Sequence, residues 1–210
     1  MTSTSTETAE TAVMDRAALD RLFAQAHTTN HFTDEPVDVD VVRRAYEDLR
    51  WAPTAFNNQP LRLTIVSGEE SRRTVVEHLM GGNQEKTLAA PLTVVAAYDP
   101  EWHEHMPFLT PGMPGLKENF AGQEEARHSM ARDNAFIQLG YLLLALRSHG
   151  LQVGPMTGLD PAGLDTAVHT ENGWKTIAVV NVGHAAHPEH DDAQRPRGGR
   201  FAFEQASQVL

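Results

Sequence analysis

The segment Leu92–Tyr98 places the tightest limit on the fold, because it is almost wholly apolar, lies behind Pro91 and stops at Asp99-Pro100. A strand with one face in water alternates apolar and polar side chains. An unbroken apolar run of strand length therefore predicts a central strand covered on both faces. Trp174–Val182, rich in β-branched residues, predicts a second such strand. In Leu61–Val66, by contrast, Leu61, Leu63 and Ile65 alternate with Arg62 and Thr64, the pattern of a strand with one buried face. Leu151–Val153 is a candidate short strand.

Helical spacing appears at Leu19, Leu22, Phe23 and Ala26, then at Val42, Ala45, Tyr46 and Leu49. A further helix is expected through Val75, Val76 and Leu79. A long one is expected over about Glu124–Ser148, with Phe136, Leu139, Leu143 and Leu146 inward and Gly150 as its stop. Asp160-Pro161 reads as an N-cap followed by proline at the first helical position. Helices and strands follow one another without regular βαβ alternation, which makes the fold class α+β.

A chain of 210 residues fits one domain, expected over residues 13–210 after a Thr/Ser/Glu-rich tail, 1–12, expected to be disordered. The formal charge of −11 opposes binding to nucleic acid or to an anionic membrane surface, both of which reward clustered Lys and Arg, and leaves room only for a local basic pocket. The absence of cysteine excludes disulfides, thiolate nucleophiles and Cys-ligated metal centres. The start lacks the features of a signal peptide, and Tyr141–Leu146 is too short an apolar stretch to cross a bilayer, so a cytoplasmic location is expected. There is no GxGxxG after a strand and no P-loop.

Two loops invite a functional reading. WAPTAFNNQP, residues 51–60, opposes helix continuation after the second helix. Residues 99–122 are rich in Pro, Gly, Met and aromatics without periodicity, which marks a lid candidate in which Trp102, Phe108 and Phe120 would shape substrate choice.

Four segments, AHTTNHF, WAPTAFNNQP, GLQVGPMTGLD and NVGH…RPR, in that order, resemble the nitroreductase-like flavoproteins. With NQEKTLAAP added, the chain is most similar to a branch that includes malonic semialdehyde reductases and proteins provisionally named NADH dehydrogenase/NAD(P)H nitroreductase. The resemblance implies a mixed, mainly antiparallel sheet flanked by helices. It also implies a homodimer with an exchanged C-terminal extension and FMN held between the subunits. The implied reaction is ping-pong, with hydride passing from NADH or NADPH through flavin N5 to a small organic acceptor, either malonic semialdehyde or a nitro or quinone compound. No catalytic side chain is required, and proton delivery is left to solvent.

Carried onto this chain, the family's phosphate motif falls on His27, Thr28, Thr29 and Asn30. His27 stands where the family has an arginine, so a fixed guanidinium fork is replaced by an imidazole. Arg195 and Arg197 match the basic C-terminal phosphate contact and can compensate through charge-assisted hydrogen bonds. Pro53, Thr54 and Asn57 match the loop beside the ribityl chain and ring, and Pro155, Met156, Thr157 and Gly158 the segment passing the flavin away from the substrate. Two other readings stay open here: a redox-silent binding protein that keeps the fold without flavin, and a metal site built from His103 and His105 or from His184, His187 and His190. The His187-Pro188 step speaks against the latter.

Overall fold

In the computed structural model, which describes residues 13–186 and 196–210, the two apolar runs form the middle of a four-stranded sheet. The strands are β1 (Leu61–Val66), β2 (Leu92–Tyr98), β3 (Gln152–Met156) and β4 (Lys175–Gly183), in the order β1-β2-β4-β3. All three pairings are antiparallel. Every residue of β2 is buried, and every residue of β4 after Lys175. Alternate side chains serve two cores: Val94, Ala96 and Tyr98 point into one, Val95 into the other. That division explains why the runs are apolar without a break.

The chain enters through α1 (Arg16–Leu19) and a π-helical turn, Asp20–Ala24, then forms α2 (Val39–Leu49), whose Val42, Ala45 and Leu49 are buried. After β1 come α3 (Glu69–Val76) and α4 (Gly81–Leu88), and after β2 the short α5 (Met106–Leu109) and α6 (Leu116–Ala121). The long α7 (Glu124–Ser148) packs with α2 on one face of the sheet and stops, as expected, before Gly150 in the left-handed conformation, φ 85°. Then α8 (Pro161–Val168) joins α3 on the other face, and α9 (Phe203–Ala206) lies near the C-terminus.

Three expectations change. The candidate short strand Leu151–Val153 instead runs from Gln152 through Gly154-Pro155 to Met156; β3 is an edge strand, so Pro155 disrupts no second ladder. Residues 99–122 contain short helices, and Trp102 is fully buried, its indole N–H donating to the Arg127 carbonyl at 3.1 Å. Trp102 is thus a core residue of one chain, while Phe108 is 85% exposed and Phe120 packs partly against the core. The helix α4 has no counterpart among the sequence expectations. It is tied to the sheet by a buried polar chain in which the Asn181 amide donates to Thr87 Oγ1 at 2.9 Å and its oxygen accepts from Thr93 Oγ1 at 3.1 Å. The tail, residues 1–12, lies outside the described residues, as do His187, His190 and Arg195.

Candidate functional site

The loop after the π-helical turn is stitched to the sheet edge by backbone bonds. Thr29 N–H donates to the Val153 carbonyl at 3.0 Å, Thr33 N–H to the His184 carbonyl at 2.8 Å, and Ala186 N–H to the His31 carbonyl at 3.0 Å. Thr29 is buried in this seam, leaving Thr28 exposed and His27 and Asn30 half-buried. The seam requires Gly154, because a Cβ at that position would run into the Thr29 carbonyl oxygen. A second close approach lies four residues further on: the Gly158 carbonyl accepts from Met80 N–H at 3.0 Å and from the Asn83 amide at 2.9 Å. Four sequence-predicted residues, His27 to Asn30, are thereby joined to the start of α4 through the Val153–Gly158 segment.

These elements surround a cavity of about 720 Å³. Its lining includes His27, Thr28, Asn30, Asn83, Lys86, Arg147, Arg197 and Arg200, and among the described residues it has four Arg/Lys side chains and no carboxylate. In a chain with 17 basic and 28 acidic residues, such a lining is strongly selective for an anion. Arg197 reaches back from the C-terminal segment and donates to the Ala26 carbonyl at 3.0 Å. His27 is pushed below the ordinary histidine range by burial first, then by the Arg197 and Arg200 guanidiniums. It is therefore neutral near pH 7 in the unliganded chain and supplies hydrogen bonding without charge. Asn83, Lys86, Arg147 and Arg200 had been assigned no role from the sequence. NQEKTLAAP carried Asn83 and Lys86 as part of a resemblance only, and nothing local distinguishes Arg147 from any other basic residue in a last helical turn.

Pro53, Thr54 and Asn57 stand elsewhere. Ala55 N–H donates to Asn134 Oδ1 at 2.7 Å and Leu61 N–H to Gln138 Oε1 at 3.0 Å, so two buried polar residues pin this loop against the middle of α7. The Asn57 amide donates to the Leu109 carbonyl at 2.9 Å and accepts from Gln59 Nε2 at 2.9 Å, while Phe56 contacts Phe120, itself stacked at 4.9 Å on Trp102. Phe56, Asn57 and Gln59 take left-handed backbone angles, φ 53°, 56° and 40°. This loop leads into β1, one edge of the sheet, and Pro155 to Gly158 lie at the end of β3, the opposite edge. Three strand spacings, about 14 Å, separate the two edges. Within one chain the predicted residues thus divide: His27, Thr28, Asn30 and Arg197 line the basic cavity, Thr157 lines a separate pocket with Tyr98, Arg132 and Phe136 while Met156 is buried in the core, and Pro53, Thr54 and Asn57 lie beside Phe56 and Phe120.

Among the described residues no three His, Asp or Glu side chains gather as metal ligands. His103 is buried between Glu101 at 3.7 Å and Glu104 at 3.6 Å, and His105 faces Asp99 at 3.3 Å. No described helix is long and apolar enough to cross a membrane.

Residues 23–184 match the Nitroreductase family. A Streptomyces griseus protein provisionally named NADH dehydrogenase/NAD(P)H nitroreductase is 40% identical over 193 residues, covering 92% of this chain and 96% of the relative. Among solved structures, the provisionally named nitroreductase YdfN of Bacillus subtilis aligns over 93% of this chain and 100% of its own, with TM-score 0.80 and 16% identity. A provisionally named nitroreductase from Exiguobacterium sibiricum, solved in complex with FMN, aligns over 96% of this chain and 99% of its own, with TM-score 0.77 and 15% identity. The two structures bear out the expected α+β nitroreductase-like fold. With the family match spanning most of its length and the relative matched almost end to end, the chain belongs to the Nitroreductase family.

Proposed function

We propose that two copies of this chain form an FMN-dependent NAD(P)H oxidoreductase that reduces a small organic acceptor. The observation that carries the reading is the basic cavity, without a carboxylate among its described lining residues, whose walls are bonded to the Val153–Gly158 segment through Thr29 and Asn83. A flavin phosphate bears nearly two negative charges, and Arg147, Arg197, Arg200 and Lys86 match it; Thr28, Asn30 and Asn83 offer neutral polar partners along the same wall. When bound, FMN supplies a two-electron carrier that takes hydride from reduced nicotinamide and gives it to the acceptor.

The chain's own residues fix position and exclude water. Gly154 and Gly158 let backbone approach closely where a side chain would intervene, and the Thr87–Asn181–Thr93 network holds α4, with Asn83 and Lys86, at a set distance from β3. Phe56 and Phe120 form an apolar surface beside Pro53, Thr54 and Asn57, with the exposed Phe108 on the neighbouring α5, suited to the opposite side of a planar ligand. Those two groups lie at opposite sheet edges in one chain, so a site using both takes them from two copies. Exposed apolar residues on the surface support association: Ile137 and Tyr141 on α7 are 47% and 43% exposed and flank Gly140, beside which a Cβ meets nothing.

For the acceptor, GPMTGLD and NQEKTLAAP favour malonic semialdehyde, whose reduction consumes one hydride and one proton to give 3-hydroxypropionate; nitro and quinone compounds are the comparison set. The test is the visible spectrum of the purified protein with FMN, followed by anaerobic mixing with NADH or NADPH and then with each acceptor. Flavin bleaching by the nucleotide and reoxidation by the aldehyde is the expected result. A protein that neither binds nor bleaches flavin overturns the reading and leaves a family member without flavin chemistry.

A further inference from the structure

We infer that Arg147, in the last turn of α7, is the residue that grips the FMN phosphate in place of the arginine that the phosphate motif lacks at position 27. This rests on the FMN reading above and adds a binding residue to it. Arg147 stands, with Leu22, Ala26 and His27, in the wall shared by two cavities, the basic one of about 720 Å³ and a neighbour of about 520 Å³. It therefore occupies the same part of the site as His27 while coming from a different element.

Its surroundings argue that it awaits an anion. Arg147 is half-buried, and among the described residues no carboxylate pairs with it. Among the described residues its side chain makes one hydrogen bond, a long one of 3.4 Å from Nη1 to the Leu22 carbonyl, and no other described group engages the guanidinium. Burial alone holds its pKa below the usual arginine value. A partly desolvated cation without a counter-charge destabilises a fold unless a ligand supplies that charge. The other two guanidiniums of the cavity come from the C-terminal segment and are partly occupied, Arg197 with the Ala26 carbonyl and Arg200 with the carbonyls of Gly198 and Gly199. Arg147 alone projects from a 25-residue helix anchored in the core, so its fork is positioned before the ligand arrives.

The experiment compares FMN with riboflavin, which has the same ring and ribityl chain and no phosphate, by fluorescence quenching on apoprotein. Wild type is expected to bind FMN much more tightly. Arg147→Met is expected to weaken FMN about 10- to 100-fold, as for loss of a charge-assisted contact, with riboflavin affinity unchanged and the apoprotein's melting temperature no lower than wild type. Arg147→Lys recovers part of the loss, and His27→Arg added to Arg147→Met recovers more by restoring a fork on the facing element. An Arg147→Met protein that keeps wild-type discrimination between the two flavins overturns the inference. So does one that loses both flavins equally and melts earlier, since that marks a purely structural arginine. If wild type itself shows no preference for FMN, the cofactor reading falls, and the inference with it.

Discussion

The contact between Gly154 and Thr29 offers the sharpest test of how the site is held together. Gly154→Ala adds one methyl group on the side where β3 faces the Thr29 carbonyl, and the obstructing atom is backbone, which no rotamer change can move. Over-packing of this kind costs about 1–3 kcal/mol. If the loop retreats, the Thr29 N–H bond to the Val153 carbonyl is strained or lost, worth about 1 kcal/mol more. The combined cost is roughly 2–4 kcal/mol, and at about 2–4 °C per kcal/mol for a domain of this size the melting temperature falls by roughly 5–15 °C. To the extent that the loop escapes outward instead, the thermal loss shrinks and FMN affinity drops, because His27, Thr28 and Asn30 leave the cavity wall. Thermal unfolding and FMN titration on the same preparation measure both terms. Gly112→Ala, whose added Cβ meets nothing, serves as control and is expected to stay within about 0.5 kcal/mol of wild type. A Gly154→Ala protein with wild-type melting and wild-type FMN affinity refutes the claim that this approach sets the position of the loop.

Buried His169, with Nε2 at 3.0 Å from Thr64 Oγ1 and Nδ1 at 3.2 Å from Thr176 Oγ1, has its pKa lowered by burial, an effect that Asp165 only partly opposes. The unfolded chain then takes up a proton first, so stability is lost as pH falls below about 6.5, by at most about 1.4 kcal/mol per pH unit for this one group; urea titrations between pH 5 and 8 on wild type and His169→Gln should show that slope in the former and its reduction in the latter. Asn181→Leu strands the hydroxyls of Thr87 and Thr93 and is expected to cost about 1–3 kcal/mol, read as a lower urea midpoint at unchanged slope. Tyr141→Asp places a charge on the apolar face of α7 and is expected to shift the protein from dimer to monomer in size-exclusion light scattering; an unchanged mass removes α7 from the proposed interface.

Legibility in the sequence followed the strength of periodic signals. The bounds of β1, β2 and α7 are those the residues predict, since a two-residue alternation, an unbroken apolar run and a long helical repeat each admit few alternatives. No such signal exists for α4: GGNQEKTL has Leu88 as its one large apolar residue, and the helix is held by Thr87 reaching Asn181, a partner 94 positions away. Trp102 misled for a related reason. An aromatic in an aperiodic Pro/Gly-rich stretch carries no mark of direction, and only the Arg127 carbonyl and the Phe120 ring show that it faces inward. The site was legible as segments and not as a cavity. Thr28, Asn30 and Arg197 were expected and line it, whereas Arg147 and Arg200 enter because the ends of α7 and of the chain converge there.

That convergence bears on why an acidic chain keeps a basic cavity and on the division proposed for its site. With a formal charge of −11, an anionic ligand approaches against the average field, so the four cations must act at short range, within a Debye length of about 8 Å at physiological salt. They do so best where no carboxylate dilutes them, and among the described lining residues there is none. The same net charge opposes the meeting of two copies. Apolar residues such as Ile137 and Tyr141 favour it, and a ligand that touches both copies favours it further, because whatever binds only the assembled state stabilises that state by mass action. In the proposed dimer, a site divided between β1 and β3 edges makes cofactor affinity and dimer stability two expressions of one coupling free energy, and weakening the proposed phosphate grip at Arg147 should loosen both.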